Sequence, residues 1–187
     1  MIKPKLITAP EQVPVTLEDV KKHARVFFSD DDAYLESLIK AAVSYFDGYG
    51  GTLNRCILPQ TWQTVHARFC HRIETLFTDT TAVVVKYRDV EGQEQTVDNT
   101  GGAAYRVYPD YIEFVNGFAY PATECRSDAV ILESTHGYAV VPESLLLAIK
   151  ILVTHWYRNR EPVTFGGMPG KIPFSVDALI APCRWAF

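Results

Sequence analysis

Cysteine is scarce and scattered. The four residues, Cys56, Cys70, Cys125 and Cys183, form no Cys-x-x-Cys pair, which argues against a disulfide framework and predicts reduced thiols that serve packing. A long apolar run is also missing. The longest, from Leu145 to Val153, is broken by Lys150 and falls far short of the roughly 20 residues that cross a bilayer. The basic start, Met1 to Lys5, leads into Pro10, Glu11 and Pro14 rather than an apolar signal core, so neither export nor membrane association is expected. There is no basic excess: 18 Lys+Arg against 22 Asp+Glu leave a formal charge of −4, a poor basis for gripping a phosphate backbone. Nucleotide-binding loops are lacking too. Neither Gly-x-x-x-x-Gly-Lys-Ser/Thr nor a helix-opening Gly-x-Gly-x-x-Gly occurs, and Gly166-Gly167 precedes Lys171 without the needed spacing.

What is present is an ordinary folded composition of 187 residues, 48% hydrophobic and 21% charged, with 11 glycines and 11 prolines. This is enough for one compact domain or two small modules sharing a core. Pro4, Pro10 and Pro14 make residues 1–15 an extended arm. Thr16, three residues before Asp19, marks a capping box, and Leu17, Val20, Ala24, Phe27 and Phe28 fall on one helical face behind it. Asp30-Asp31-Asp32 suits the cap of a second helix, whose stripe runs Leu35, Leu38, Ile39, Ala42, Val43, Phe46 and stops at Gly48-Tyr49-Gly50-Gly51. From Ile57 to Thr135 the period shortens to that of an antiparallel sheet module. Its strands are expected at 61–69, 82–87 (a buried one), 93–98, 105–108, 111–115 and 129–135, with Asp89-Val90-Glu91-Gly92 as a hairpin turn. Pro142 then opens a helix expected to reach Arg160, its first half buried on nearly all sides. The fold class is therefore α+β: a small helical bundle with two N-terminal helices, one long buried C-terminal helix and a short terminal helix, carrying an inserted β module. The expected organisation is an arm at 1–15, a body at 16–162 with the module at about 57–135, and a flexible loop with a C-terminal segment at 163–187.

Catalytic and metal chemistry find little footing. Cys70-His71 sets a thiol beside an imidazole, but neighbours on a strand point to opposite faces. A small cysteine hydrolase using Cys70 is the distant enzyme alternative. His66 and Cys70 stand four apart in a strand segment, and no second pair completes a tetrahedral zinc site. Asp30-Asp31-Asp32 lacks the spaced ligands and glycine of a calcium loop, so helix capping is the expectation. Tyr105, Tyr108 and Tyr111 could stack bases, but strand aromatics mainly serve packing. Neither a cofactor nor a metal is expected. The positive feature is the C-terminal end, where a buried helix leads into the glycine-rich run Phe165-Gly166-Gly167-Met168-Pro169-Gly170 and an aromatic end, Arg184-Trp185-Ala186-Phe187. Such an end docks on a partner or folds back on its own subunit.

In order along the chain stand Leu58-Pro59-Gln60-Thr61-Trp62, Tyr87-Arg88-Asp89-Val90-Glu91-Gly92, Tyr105-Arg106-Val107, His155-Trp156-Tyr157-Arg158-Asn159-Arg160-Glu161 and Pro173-Phe174-Ser175-Val176-Asp177-Ala178-Leu179. In these segments the chain resembles the head-tail connector, or adaptor, proteins of long-tailed bacteriophages, prophages and gene transfer agents, from about Val15 to Arg184. The resemblance implies a structural virion protein, made in the bacterial host cytoplasm, with no enzymatic activity. It implies a homo-oligomeric ring, usually of twelve subunits, under the portal protein of the filled head. Such a ring extends a channel through which DNA passes without sequence-specific binding, and offers a platform for a stopper or tail-completion protein. By the same resemblance Phe165, Phe174, Val176, Leu179, Arg184, Trp185 and Phe187 would touch the portal or a neighbouring subunit, with Gly166, Gly167 and Gly170 as a hinge. The alternatives are a stopper or tail-completion protein of the same assembly and a DNA-packaging-associated binding protein.

Overall fold

A computed structural model describes residues 3–160 and 174–185. The chain forms two compact units, one from residues up to Pro10 with Pro59–Tyr138, the other from Glu11–Leu58 with Ala139 onward.

Among the described residues, the first unit holds all the strands. β1 (Lys5–Thr8), β2 (Gln60–His66), β4 (Thr80–Arg88), β5 (Glu94–Thr96) and β8 (Val130–His136) make a five-stranded sheet in the order β1-β2-β8-β4-β5. β3 (Arg72–Glu74), β6 (Tyr105–Val107) and β7 (Tyr111–Phe114) make a second sheet in the order β3-β7-β6. Every pairing is antiparallel. Where the periodicity predicts one sheet module there are thus two sheets, and the proline-rich arm supplies a paired strand. Pro4 and Pro10 bracket β1 and leave its own amides free to pair. β8 is the central strand and the most buried, with Val130, Ile131, Leu132, Ser134 and His136 all inside. The core below it gathers Ile73, Val85, Val97, Ala104, Tyr105, Ile112, Phe114, Val130 and Leu132. Tyr105 is pinned there by its hydroxyl, which donates to the Val83 carbonyl at 3.0 Å. The β-branched run at 82–87 is not a buried strand as its composition suggests. Only Val85 is fully enclosed, while Val84 is 41% exposed, because alternate residues of β4 face opposite sides of the sheet. The turn after it forms as expected: the Asp89 carboxylate accepts from the amides of Glu91 (3.1 Å) and Gln93 (2.8 Å).

The second unit is helical: α1 (Leu17–Ala24), α2 (Asp32–Phe46), α3 (Glu143–Arg158) and α4 (Phe174–Ile180). Thr16 Oγ1 accepts the Asp19 amide at 3.1 Å while the Asp19 carboxylate reaches back to the Thr16 amide, which is the expected capping box. α1 is shorter than its apolar spacing predicts. Arg25 turns left-handed (φ 58) and the Val26 amide bonds back to the Lys21 carbonyl, a stop that usually employs glycine. Phe27 and Phe28 therefore leave the helical face, and Phe27 is 90% exposed. α3 is likewise less enclosed than its run of leucines and isoleucines predicts. Leu145, Ala148, Ile149, Leu152 and Val153 are fully buried, but Leu147 is 37% exposed on the opposite side. The thiols divide: Cys56 and Cys183 are buried and serve packing, whereas Cys70 and Cys125 are exposed and do not.

Candidate assembly interface

The end of the second unit is built on α3. Val176 and Ile180, four residues apart on one face of α4, are both completely buried, and this pair seats α4 against α3. Beyond them a single 3-10 turn, Ala181–Cys183, buries Cys183, whose sulfur lies 3.9 Å from Ser144 Oγ. Trp185 then donates its amide to the Leu53 carbonyl at 2.9 Å. The receiving loop is itself braced: Asp47 Oδ1 accepts the Ile57 amide at 2.7 Å, and the Gly48 amide donates to the Arg55 carbonyl. A Cβ on Gly51 would lie 2.3 Å from the Asp47 carbonyl oxygen, so only glycine fits that turn. On the outer side of α4, Arg184 and Asp177 form an ion pair at 2.9 Å, with Leu179 half-buried nearby in sequence.

A second cluster holds the other end of α3. The Tyr157 hydroxyl donates to Asp31 Oδ2 at 2.5 Å, and Arg160 reaches the same oxygen at 2.9 Å while lying over the rings of Tyr34 and Tyr157. These bonds, the Tyr157 hydroxyl first, hold the Asp31 carboxyl below its ordinary range. Asp32 pairs with Lys21 at 2.5 Å. The acidic run is therefore not a side-chain cap, as its position before α2 suggests. Asp31 stands at the cap position with no side-chain bond to the helix amides; instead the run ties the start of α2 to α1 and α3. Nothing in the local sequence signals this, since Asp31 and Tyr157 are 126 residues apart.

Of the residues implied by resemblance, Leu179, Arg184 and Trp185 stand at the surface or half-buried, and Val176 lies wholly within its own unit. Phe174 opens α4, though its side chain lies outside the described residues, as do Phe165, Gly166, Gly167, Gly170 and Phe187 entirely. No group of three or more His, Cys, Asp or Glu side chains able to hold a metal exists among the described residues. His71 pairs through Nε2 with Glu113 at 3.3 Å. With Arg106 and Asn116 this pair lines an open hollow of about 330 Å³. Another hollow, of about 400 Å³, lies between α1 and the start of α2, lined by Leu17, Lys21, Val26, Phe27 and Asp32. No described helix is long and apolar enough to cross a membrane.

A family model described as "Head completion protein" matches residues 15–172. No curated protein matches the chain in sequence. Among solved structures, the chain is similar to one in the neck of an empty GTA particle computed with C6 symmetry, with a TM-score of 0.76 and 20% identity over 100% of this chain and 97% of that one. At the same identity and coverage it is similar to chains in the virion of a native gene transfer agent particle (TM-score 0.74) and in the neck of a native GTA particle computed with C12 symmetry (TM-score 0.73). These likenesses confirm the α+β fold with its inserted strands.

Proposed function

Because the chain belongs to the head completion protein family, we propose that it is a structural head-tail connector that assembles as a ring under the portal of the DNA-filled head. The ring extends the DNA channel and forms the platform for the next head-completion or tail protein. The observation that carries this is the family match across residues 15–172, which takes in α1 to α3 and all the strands except β1. The cyclic symmetries of the similar neck structures, C6 and C12, support a ring, and twelve copies satisfy both. The site of action is the virion neck. The role is structural, for an adaptor needs broad surfaces rather than a catalytic cleft.

Within this reading the C-terminal segment docks on the portal or on a neighbouring copy through Phe165, Phe174, Leu179, Arg184, Trp185 and Phe187, with Gly166, Gly167 and Gly170 as its hinge. Val176 is narrowed out of that set while α4 keeps its seat, because a completely buried side chain cannot meet a partner. The test is electron microscopy of the chain with and without the portal protein of its own particle. Rings seated on the portal support the assignment, and persistent monomers in its presence refute it. Leu179→Ser and Trp185→Ala then probe docking without stripping the buried pair from α3; unchanged portal binding by both would remove the C-terminal segment from the interface.

A further inference from the structure

The five-stranded sheet ends in two open edges, β1 at one side and β5 at the other, and every residue of both strands is exposed. Their strand sense follows from the topology. Four antiparallel pairings in succession make β1 and β5 run in the same direction. Copies related by rotation about a ring axis keep that sense, so β5 of one copy meeting β1 of the next pairs in parallel. The charges match this arrangement. Lys5 starts β1 with Lys3 just before it, Glu94 starts β5 with Glu91 in the turn that precedes it, and all four are exposed. A parallel register that sets Lys5 beside Glu94 places Lys3 opposite Gly92, next to Glu91 in the turn, and aligns Leu6 with Gln95. Glu94 also pairs with Lys86 at 3.7 Å, a longer contact than the 2.9 Å between Lys86 and Glu133, and its carboxylate is exposed at the edge. An antiparallel self-pairing of either edge would set its charged start against its uncharged end and forgo these opposite-charge contacts.

We propose that neighbouring copies of this chain join edge to edge, β5 of one copy pairing in parallel with β1 of the next, so that one sheet runs continuously around the assembly. This rests on the ring reading above and adds the surface that closes it. Two unlike patches meeting head to tail are what a rotational ring requires. Both edges are also guarded in the way natural sheets avoid premature pairing. β1 is only four residues long, flanked by prolines, and shifts register between Leu6 and Thr8; β5 has three residues. Contacts so short do not hold two free copies together, which makes association depend on a template.

The test compares three charge variants with the unaltered chain on the portal, at low ionic strength, scoring portals that carry rings. Lys3→Glu with Lys5→Glu, and separately Glu91→Lys with Glu94→Lys, are each expected to lower ring occupancy about tenfold or more through like-charge juxtaposition. The chain carrying all four substitutions is expected to recover most of the occupancy. Circular dichroism of each variant checks that it remains folded. Occupancy unchanged in both two-site variants, or no recovery in a folded four-site variant, overturns edge pairing while leaving the ring intact. Absence of rings with the unaltered chain instead removes the ring reading, and edge pairing falls with it.

Discussion

His136 makes the stability of the strand-bearing unit sensitive to acid. It ends β8 with no exposed surface, its Nε2 lies 2.7 Å from Ser134 Oγ, its Nδ1 lies 3.3 Å from Thr80 Oγ1, and Phe77 meets its ring at 5.3 Å. Burial disfavours the imidazolium and lowers its pKa from 6.5 to about 4. In the unfolded chain the ring takes up a proton near pH 6.5, in the folded chain only near pH 4. Between those values the unfolded state holds more protons, so stability falls as pH falls. A shift of about 2.5 units corresponds to a loss of about 2 kcal/mol between pH 7 and pH 5, and about 3 kcal/mol by pH 4. Urea unfolding at pH 7 and pH 5, run on the native chain and on His136→Gln, isolates this contribution, since carboxylates and the other histidines are common to both. The variant is expected to be less stable at pH 7, having lost a fitted ring, yet to lose about 2 kcal/mol less than the native chain on acidification. Equal losses, or a His136 resonance titrating near pH 6.5 in the folded protein, would refute the reasoning.

Thr16→Ala removes the acceptor for the Asp19 amide and is expected to lower unfolding stability by about 1 kcal/mol, with Thr16→Ser retaining most of it. Val176→Ala, at a wholly buried site beneath α4, is expected to destabilise the free chain by about 2 kcal/mol in the same measurement; a silent substitution would mean that α4 does not depend on that seat. Duplex DNA titrated into the isolated protein at low salt is expected to give no binding isotherm, consistent with the net charge of −4. Salt-dependent binding would instead favour a packaging-associated role.

Features that depend on neighbours in sequence were legible, and those that depend on distant partners were not. The capping box at Thr16, the Asp89 turn and the last strand could be read because each is settled by a few adjacent residues. The end of α1 could not, because its left-handed residue is an arginine where the usual signal is glycine. The acidic run at 30–32 carried a correct location and a wrong partner: its position before a helix suits a cap, but the oxygens are taken by Tyr157, Arg160 and Lys21. α3 looked enclosed because Leu146, Leu147 and Ile151 are as apolar as the buried face, so composition hid a real amphipathicity. At the candidate interface the aromatic surplus was visible in sequence. The seat of Val176 was not, because the partners that bury it lie on another helix.

The same distinction bears on how an acidic chain can associate with copies of itself. A net charge of −4 describes the protein at long range, where identical copies repel and remain soluble. At contact the sum matters less than its placement. Lys3 and Lys5 lie at one edge of the sheet, Glu91 and Glu94 at the other, so a head-to-tail approach sets opposite charges side by side. Screening shortens the long-range repulsion and leaves desolvated contact pairs less affected. Assembly on a portal would then be limited less by collisions between free copies than by the orientation the template imposes, which is the behaviour expected of short, guarded strand edges.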